Sequence, residues 1–200
     1  MTEIFLSDIT RYDNRINKLK EGMSDTILDH CEKYQNEKDL QASLLGWNIL
    51  TMILANRKVD ISKIDLTYNE FGKPYLGNNW FSISHSGQIV AVCVSTSEVG
   101  IDIQKIDSNR NIDLLKNRYF SEKEINILDN SDDKAKCFTE IWTRKEAFHK
   151  HVGDGIQLDK FKRDLPYDEI CTIYLEDKDK NGYILSADCI DNEKVYIKVI

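Results

Sequence analysis

Two stretches of the chain put carboxylates where a carboxylate needs a reason. Gly100-Ile101-Asp102-Ile103 sets an acid between two β-branched residues in a run that reads as a buried strand. An unpaired carboxylate there is strongly disfavoured, so Asp102 needs a cation, an arginine or lysine, or backbone donors, and a metal ion is one good answer. Trp142-Thr143-Arg144-Lys145-Glu146-Ala147-Phe148-His149-Lys150 reads as helix, where Trp142, Glu146 and Lys150 stand at i, i+4 and i+8 along one ridge. That ridge suits a solvated Glu–Lys pair, or a carboxylate and an ammonium aimed together at a magnesium-bound phosphate; spacing alone does not choose. Ser121-Glu122-Lys123-Glu124 poses the same question, because Ser121 and Glu124 make a capping box and, taken alone, Glu124 is a cap rather than a catalyst. Phe81-Ser82-Ile83-Ser84-His85-Ser86-Gly87 ends an apolar strand with a histidine among hydroxyls, and Phe71-Gly72-Lys73-Pro74 has the composition of a turn.

These groups need a scaffold. Residues 38–55 read as a helix whose later turns (Leu44, Leu45, Trp47, Ile49, Leu50, Ile53, Leu54) are apolar nearly all round, which predicts burial. Strand-like runs follow at 64–68, 80–84, 89–95 and 99–103, with Gly72, Gly77 and Gly87 as turns. Helical patterns return at 112–117, 122–128 and 134–151, where Gly153 marks a stop, and the tail reads as strands at 170–175, 183–190 and 195–200. Helix then strands, twice, predicts an α+β fold of two similar halves, 1–105 and 106–200, although no sequence repeat is visible.

Composition narrows the class. The chain has 200 residues, 41% of them hydrophobic and 30% charged, which suits a soluble globular protein. A net charge of −7 argues against an unspecific nucleic-acid binder but leaves room for a local basic pocket. The first ten residues carry Glu3 and Asp8 and lack a signal peptide's basic start, and the longest apolar stretch, 44–55, is too short to span a bilayer. Five scattered cysteines without CxxC spacing suggest neither a disulfide framework nor a zinc site, so a reduced cytoplasm is the expected setting.

The ordered set of motifs carries more than any one of them. From Phe71 to Leu158 the chain resembles the Sfp-type 4′-phosphopantetheinyl transferases. The resemblance rests on Gly72-Lys73-Pro74, Phe81 to Ser86, Gly100-Ile101-Asp102-Ile103, Arg118-Tyr119-Phe120-Ser121-Glu122-Lys123-Glu124, the Trp142 to Lys150 segment, and Gly153-Asp154-Gly155-Ile156. The Trp and the Lys-Glu-Ala ending look like the W/KEA branch, and Leu44-Leu45-Gly46 also fits. The length suits the two-half monomeric members. The resemblance implies transfer of coenzyme A's phosphopantetheine arm to a serine of an acyl, peptidyl or aryl carrier protein, with Mg²⁺ and with release of adenosine 3′,5′-bisphosphate. The fold it implies pairs two helix-on-sheet halves about a pseudo-twofold, with the active site between them.

Carried over residue by residue, Asp102 and Glu146 would hold Mg²⁺, with Gln104 where many members have a third acid. Lys150 and Lys145 would neutralise the pyrophosphate, and Lys73, Pro74, Ser84 and His85 would contact the nucleotide end. Glu146, or Glu124 directly or through water, would take the serine proton, Glu146 being preferred. Ala42 stands where members commonly have an arginine for the 3′-phosphate, so the resemblance implies either a weaker grip on the nucleotide or Lys33 and Lys38 reaching in. Because carrier proteins are acidic like this chain, docking is expected on a local patch of Lys105, Arg110, Lys116 and Arg118 mixed with Ile112, Leu114 and Leu115. Two rivals remain: a non-catalytic module that binds coenzyme A or a carrier, and a Mg²⁺-dependent pyrophosphate hydrolase.

Overall fold

The computed structural model describes residues 1–12, 15–60, 65–155, 157–166, 170–189 and 195–200. Strand β1 (Thr2–Asp8) opens the chain and runs through a 3-10 turn (Ile9–Tyr12) into the short helices α1 (Ile16–Leu19) and α2 (Asp25–Cys31). The long helix α3 (Glu37–Asn56) starts where Asn36 accepts from the Lys38 and Asp39 amides. A small hairpin of β2 (Leu66–Tyr68) and β3 (Pro74–Leu76) leads to β4 (Trp80–Ser86), β5 (Ile89–Ser95) and β6 (Val99–Lys105). Helices α4 (Ile112–Tyr119), α5 (Glu122–Asp129) and α6 (Lys134–Val152) come next, then the single turn α7 (Leu158–Phe161) and strands β7 (Ile170–Glu176), β8 (Gly182–Cys189) and β9 (Val195–Val199). The expected strands at 64–68 and 183–190 are present as β2 and β8; their end residues Ile64 and Ile190 lie outside the described residues, as does Ile156. No described helix is long and apolar enough to cross a membrane.

Two sheets, each backed by one long helix, make the body. The first runs β4-β5-β1-β9 and the second β6-β8-β7. Alternation along the strands sorts their side chains by layer. Val90, Val92 and Val94 of β5 pack with Leu44, Trp47 and Leu50 of α3. Ala91 and Cys93 of the same strand join Ile4 and Leu6 of β1 against Ile101, Ile103, Leu185 and Ala187 of the second sheet. The opposite face of β6 and β8 lies on α6. A third cluster, Phe120, Leu128, Phe138 and Ile141, fixes α4 and α5 to the outer side of α6.

Sheet membership does not follow the expected cut at 105/106. Strand β6 belongs with the C-terminal strands, while β9 returns to pair in parallel with β1. The structure also adds β1, α1, α2, β3 and α7, none of which was expected from the sequence.

The seam between the sheets is built from hydroxyls. Ser82, Ser84 and Ser86 sit at alternate positions on β4, and their Oγ atoms accept the Ile101, Ile103 and Lys105 amides of β6 at 3.1, 3.2 and 2.9 Å. Period-two serines thus replace a backbone ladder and satisfy donors that would otherwise be buried without a partner.

Two glycines set how closely the helices lie on this seam. A Cβ on Gly46 of α3 would stand 2.7 Å from the Ile83 Cγ2 methyl of β4. A Cβ on Gly100 of β6 would stand 2.0 Å from the Ala147 carbonyl oxygen and 2.3 Å from the His151 nitrogen of α6. At Gly100 the obstacle is backbone, so only glycine lets β6 and α6 meet there.

Candidate functional site

The close crossing at Gly100 fixes which residues of α6 reach β6. Gly100 faces the Ala147–His151 turn, and two residues further along β6 the side chain of Asp102 points the same way. Asp102 is buried at 2% exposure; its Oδ1 accepts from Lys150 Nζ at 2.7 Å and from Ser84 Oγ at 2.7 Å. The Ser84 hydroxyl is fully engaged, for it also accepts from the Ile103 amide and from Lys150 Nζ at 3.1 Å. Asp102 Oδ2 is buried and has no hydrogen-bond partner among the described residues.

Glu146, one turn before Lys150 on α6, shares this environment. Burial pushes its carboxyl up to about 7, and the nearby Asp102 charge adds to the rise while Lys150 opposes it. Two carboxylates and one ammonium in a half-closed space leave a net demand for positive charge. Asp102, Glu146 and Gln104 all line one cavity of about 460 Å³. The chemistry of that set fits a hard, oxygen-seeking cation such as Mg²⁺: an orphaned carboxylate oxygen, a second carboxylate held against ionisation, and an amide beside them. Among the described residues no cluster of three or more His, Cys, Asp or Glu stands ready for a metal, so such an ion would rely on ligand and water oxygens as well.

The same cavity gathers Lys73, Pro74, Ser84, His85 and Lys150. Lys73 Nζ donates to the His151 carbonyl at 2.7 Å, near the C-terminus of α6, and burial lowers its affinity for the proton. Asn69 ties the same hairpin down, donating to the Gly153 carbonyl at 2.6 Å while its Oδ1 accepts from the Phe71 and Lys73 amides. Burial likewise lowers the His85 pKa. Lysine, histidine and the free carboxylates thus stand around one space although 78 residues separate Lys73 from His151 in sequence.

Lys145 and Glu124 are not brought there. Both side chains are fully buried and they pair with each other at 2.7 Å. Lys145 Nζ also donates to the Arg163 carbonyl, and Glu124 Oε2 accepts from the Ser121 amide, completing the capping box. Desolvation raises the Glu124 pKa and lowers that of Lys145, as expected for a buried pair whose charges lack water. The reason is angular: successive helix residues point about 100° apart, so Lys145 cannot face the cavity that Glu146 and Lys150 face. Ala42 is buried in the first core cluster, and Lys33 and Lys38 are exposed, with Lys33 Nζ 5.3 Å from the centre of the Tyr68 ring.

The lining also holds residues for which no site role was expected from the sequence: His30, Tyr34 and Trp47 from the N-terminal part of the chain, and His149, Gly153 and Gly155 from the last turn of α6 onward. Helical spacing held a signal for the second group, since Glu146, His149, Lys150 and Gly153 are i, i+3, i+4 and i+7 on α6.

The sequence is similar to those of known proteins. A family model described as the 4′-phosphopantetheinyl transferase superfamily matches residues 98–193, which include Asp102, Glu146 and Lys150. The chain is 30% identical over 177 residues to a 4′-phosphopantetheinyl transferase of Bacillus subtilis, spanning 84% of this chain and 78% of that one. It is 31% identical over 166 residues to 4′-phosphopantetheinyl transferase Sfp of Bacillus subtilis (strain 168), spanning 78% and 72%. To 4′-phosphopantetheinyl transferase HetI of Nostoc it is 28% identical over 154 residues, spanning 72% and 65%.

Proposed function

The chain belongs to the 4′-phosphopantetheinyl transferase family, and on that premise we propose that it moves the phosphopantetheine arm of coenzyme A onto a serine of an acyl, peptidyl or aryl carrier protein. The observation that carries the reading is the orphaned, buried Asp102 Oδ2 facing the same cavity as a Glu146 whose carboxyl is pushed up to about 7. Asp102 and Glu146, with Gln104 beside them, would hold Mg²⁺. When bound, the ion would supply charge neutralisation at the diphosphate of coenzyme A.

The residues account for the rest. The carrier serine oxygen bonds to the phosphorus that carries the pantetheine arm, and the bond from that phosphorus to the bridging oxygen breaks, releasing adenosine 3′,5′-bisphosphate. Glu146, in the same cavity as the diphosphate, takes the serine proton. Lys150 is 32% exposed and can turn from Asp102 toward the charge that develops on the bridging oxygen. Lys73 and His85 face the nucleotide phosphates, and Ser84 holds Asp102 in place. Glu124 and Lys145 act together as a buried brace between α5 and α6 and have no part in the chemistry.

We read the two helix-backed sheets as halves related by a pseudo-twofold, and the protein as a cytoplasmic monomer with neither nucleic acid nor membrane among its partners. The carrier would dock on α4, whose side chains leave Leu114 65% exposed. Within that patch Lys116 is bonded to Asp113 and Asp129, so Arg110 and Arg118 offer the usable positive charge. Incubation with coenzyme A, Mg²⁺ and a panel of apo-carriers, followed by mass measurement, tests the function. A carrier that gains the arm supports it. Coenzyme A bound without transfer would mean a binding module, and adenosine bisphosphate released without a loaded carrier would mean a hydrolase.

A further inference from the structure

Of the two acids in the cavity, Asp102 already carries a cation from the chain itself. Lys150 Nζ donates to Asp102 Oδ1 at 2.7 Å and to Ser84 Oγ at 3.1 Å. The two ends of that ion pair are unequal. Asp102 is 2% exposed and sits on β6, whereas the Lys150 side chain is 32% exposed at the cavity wall. Ser84 donates its hydroxyl proton to the same Oδ1 at 2.7 Å and accepts the Ile103 amide. The carboxylate therefore keeps an anchor when the lysine leaves, and the long, half-solvated lysine is the partner able to leave.

A buried carboxylate needs a cation, and a single ammonium meets that need only in part. Oδ2 of Asp102 is buried and has no hydrogen-bond partner among the described residues. A divalent ion drawn to that oxygen would share one carboxylate with the ammonium, and like charges repel strongly in a half-closed space. For the ion to bind well Lys150 must swing away, and it needs an anion to swing to. Among the described residues the cavity lining has no acid besides Asp102 and Glu146, both of which the ion also claims. A diphosphate supplies the missing anion.

We infer that Lys150 is a placeholder cation: before coenzyme A arrives it occupies Asp102 and keeps a divalent ion from binding tightly, and it gives way when a diphosphate enters. The inference rests on the transferase reading for the identity of that diphosphate. It makes the metal and coenzyme A bind synergistically, each raising the affinity of the other by the same factor.

Mn²⁺ serves as the probe, since its free form is counted by electron paramagnetic resonance without turnover. Metal-free native protein should bind Mn²⁺ weakly, and coenzyme A should tighten that binding after allowance for Mn²⁺ held by coenzyme A alone. Lys150→Met removes the ammonium and keeps the stem. Without coenzyme A it should bind Mn²⁺ about 10-fold or more tightly than the native protein, and coenzyme A should then add much less. Lys150→Arg, which keeps the charge, should bind like the native protein, and Lys150→Met combined with Asp102→Asn should lose the gain. Where a thermal melt shows that Lys150→Met does not fold, Lys150→Gln carries the same expectation. Native or weaker Mn²⁺ binding in the uncharged variant, or a gain that survives Asp102→Asn, overturns the placeholder. Carrier loading is read separately. If no carrier is loaded but removing the charge still tightens Mn²⁺ binding through Asp102, the placeholder stands and the transferase reading falls. Loaded carriers without any gain in Mn²⁺ affinity remove the placeholder and leave the transferase reading in place.

Discussion

Gly100→Ala should disable the protein although Gly100 is not itself a ligand. The added methyl would sit 2.0 Å from the Ala147 carbonyl oxygen and 2.3 Å from the His151 nitrogen, against the 3.4 Å at which ordinary contact begins. Helix α6 must then retreat from β6 by about 1.4 Å, because both obstacles are backbone and no rotamer relieves them. That retreat draws Glu146 and Lys150 away from Asp102 along the contact that assembles the site. A displacement of about 1 Å costs on the order of 100-fold in rate, and overpacking of this kind costs about 1–3 kcal/mol of stability. Gly46→Ala is the control: its one close obstacle is the Ile83 Cγ2 methyl at 2.7 Å, a side chain that can move, with Val90 Cγ1 at an ordinary 3.5 Å, so it should lose stability with a far smaller loss of transfer. Urea midpoints and carrier-loading rates on both variants measure the two effects. A Gly100→Ala protein with native rate and midpoint would show that the backbone crossing does not position the carboxylates.

Other outcomes follow from the same geometry. Asp102→Ala or Glu146→Ala should abolish carrier loading while circular dichroism stays native; near-normal rates at limiting Mg²⁺ would remove them from the metal site. Lys150→Ala should raise KM for coenzyme A and lower kcat together, since an ammonium facing diphosphate acts in ground and transition states alike. In metal-free protein, Glu146 should oppose folding as pH rises. Its folded pKa of about 7 lies above the reference value of 4.5, so its full contribution is present below 4.5 and is lost as pH climbs through 7. The ceiling is about 3 kcal/mol. His30 and His85, whose pKa values burial lowers, slope the opposite way, so urea midpoints of the native protein against Glu146→Gln from pH 5 to 8 isolate the term. A constant difference across that range would refute the burial argument.

How much of this was readable beforehand depended on whether partners were local. Helix α3 and helix α6 announce themselves by periodicity and caps, and Gly100-Ile101-Asp102-Ile103 announces a buried acid by alternation alone. Strand β1 does not. Its neighbours are β5, more than 80 residues on, and β9, nearly the whole chain away, and only that pairing makes Ile4 and Leu6 core residues. The return of β9 to pair with β1 across the expected cut at 105/106 is non-local in the same way. The serine seam had a visible period of two, yet nothing in Ser82, Ser84 and Ser86 says that the amides they accept are 19 residues further on. The resemblance implies Lys145 at the pyrophosphate together with Lys150, whereas helix geometry turns Lys145 to a different face, where it pairs with Glu124.

The same comparison explains why the site falls where local rules are broken. Some buried polar pairs elsewhere in the molecule are matched, Thr143 with Ser186 at 2.8 Å and Glu124 with Lys145 at 2.7 Å, while Gln88 Oε1 and His149 Nε2 have no hydrogen-bond partner among the described residues. At Asp102 one oxygen carries two donors and the other carries none, while Glu146, close by, is held against ionisation by the same burial. A sequence selected for stability alone would put a second lysine or a pair of hydroxyls there, or replace both acids with apolar residues. Leaving two acids to one lysine costs stability, and on the proposed reading that cost would be offset by a cation and a diphosphate binding together. Gly100 holds α6 close enough that they remain unsatisfied side by side, which is why the smallest residue in the second sheet governs the most highly charged part of the cavity.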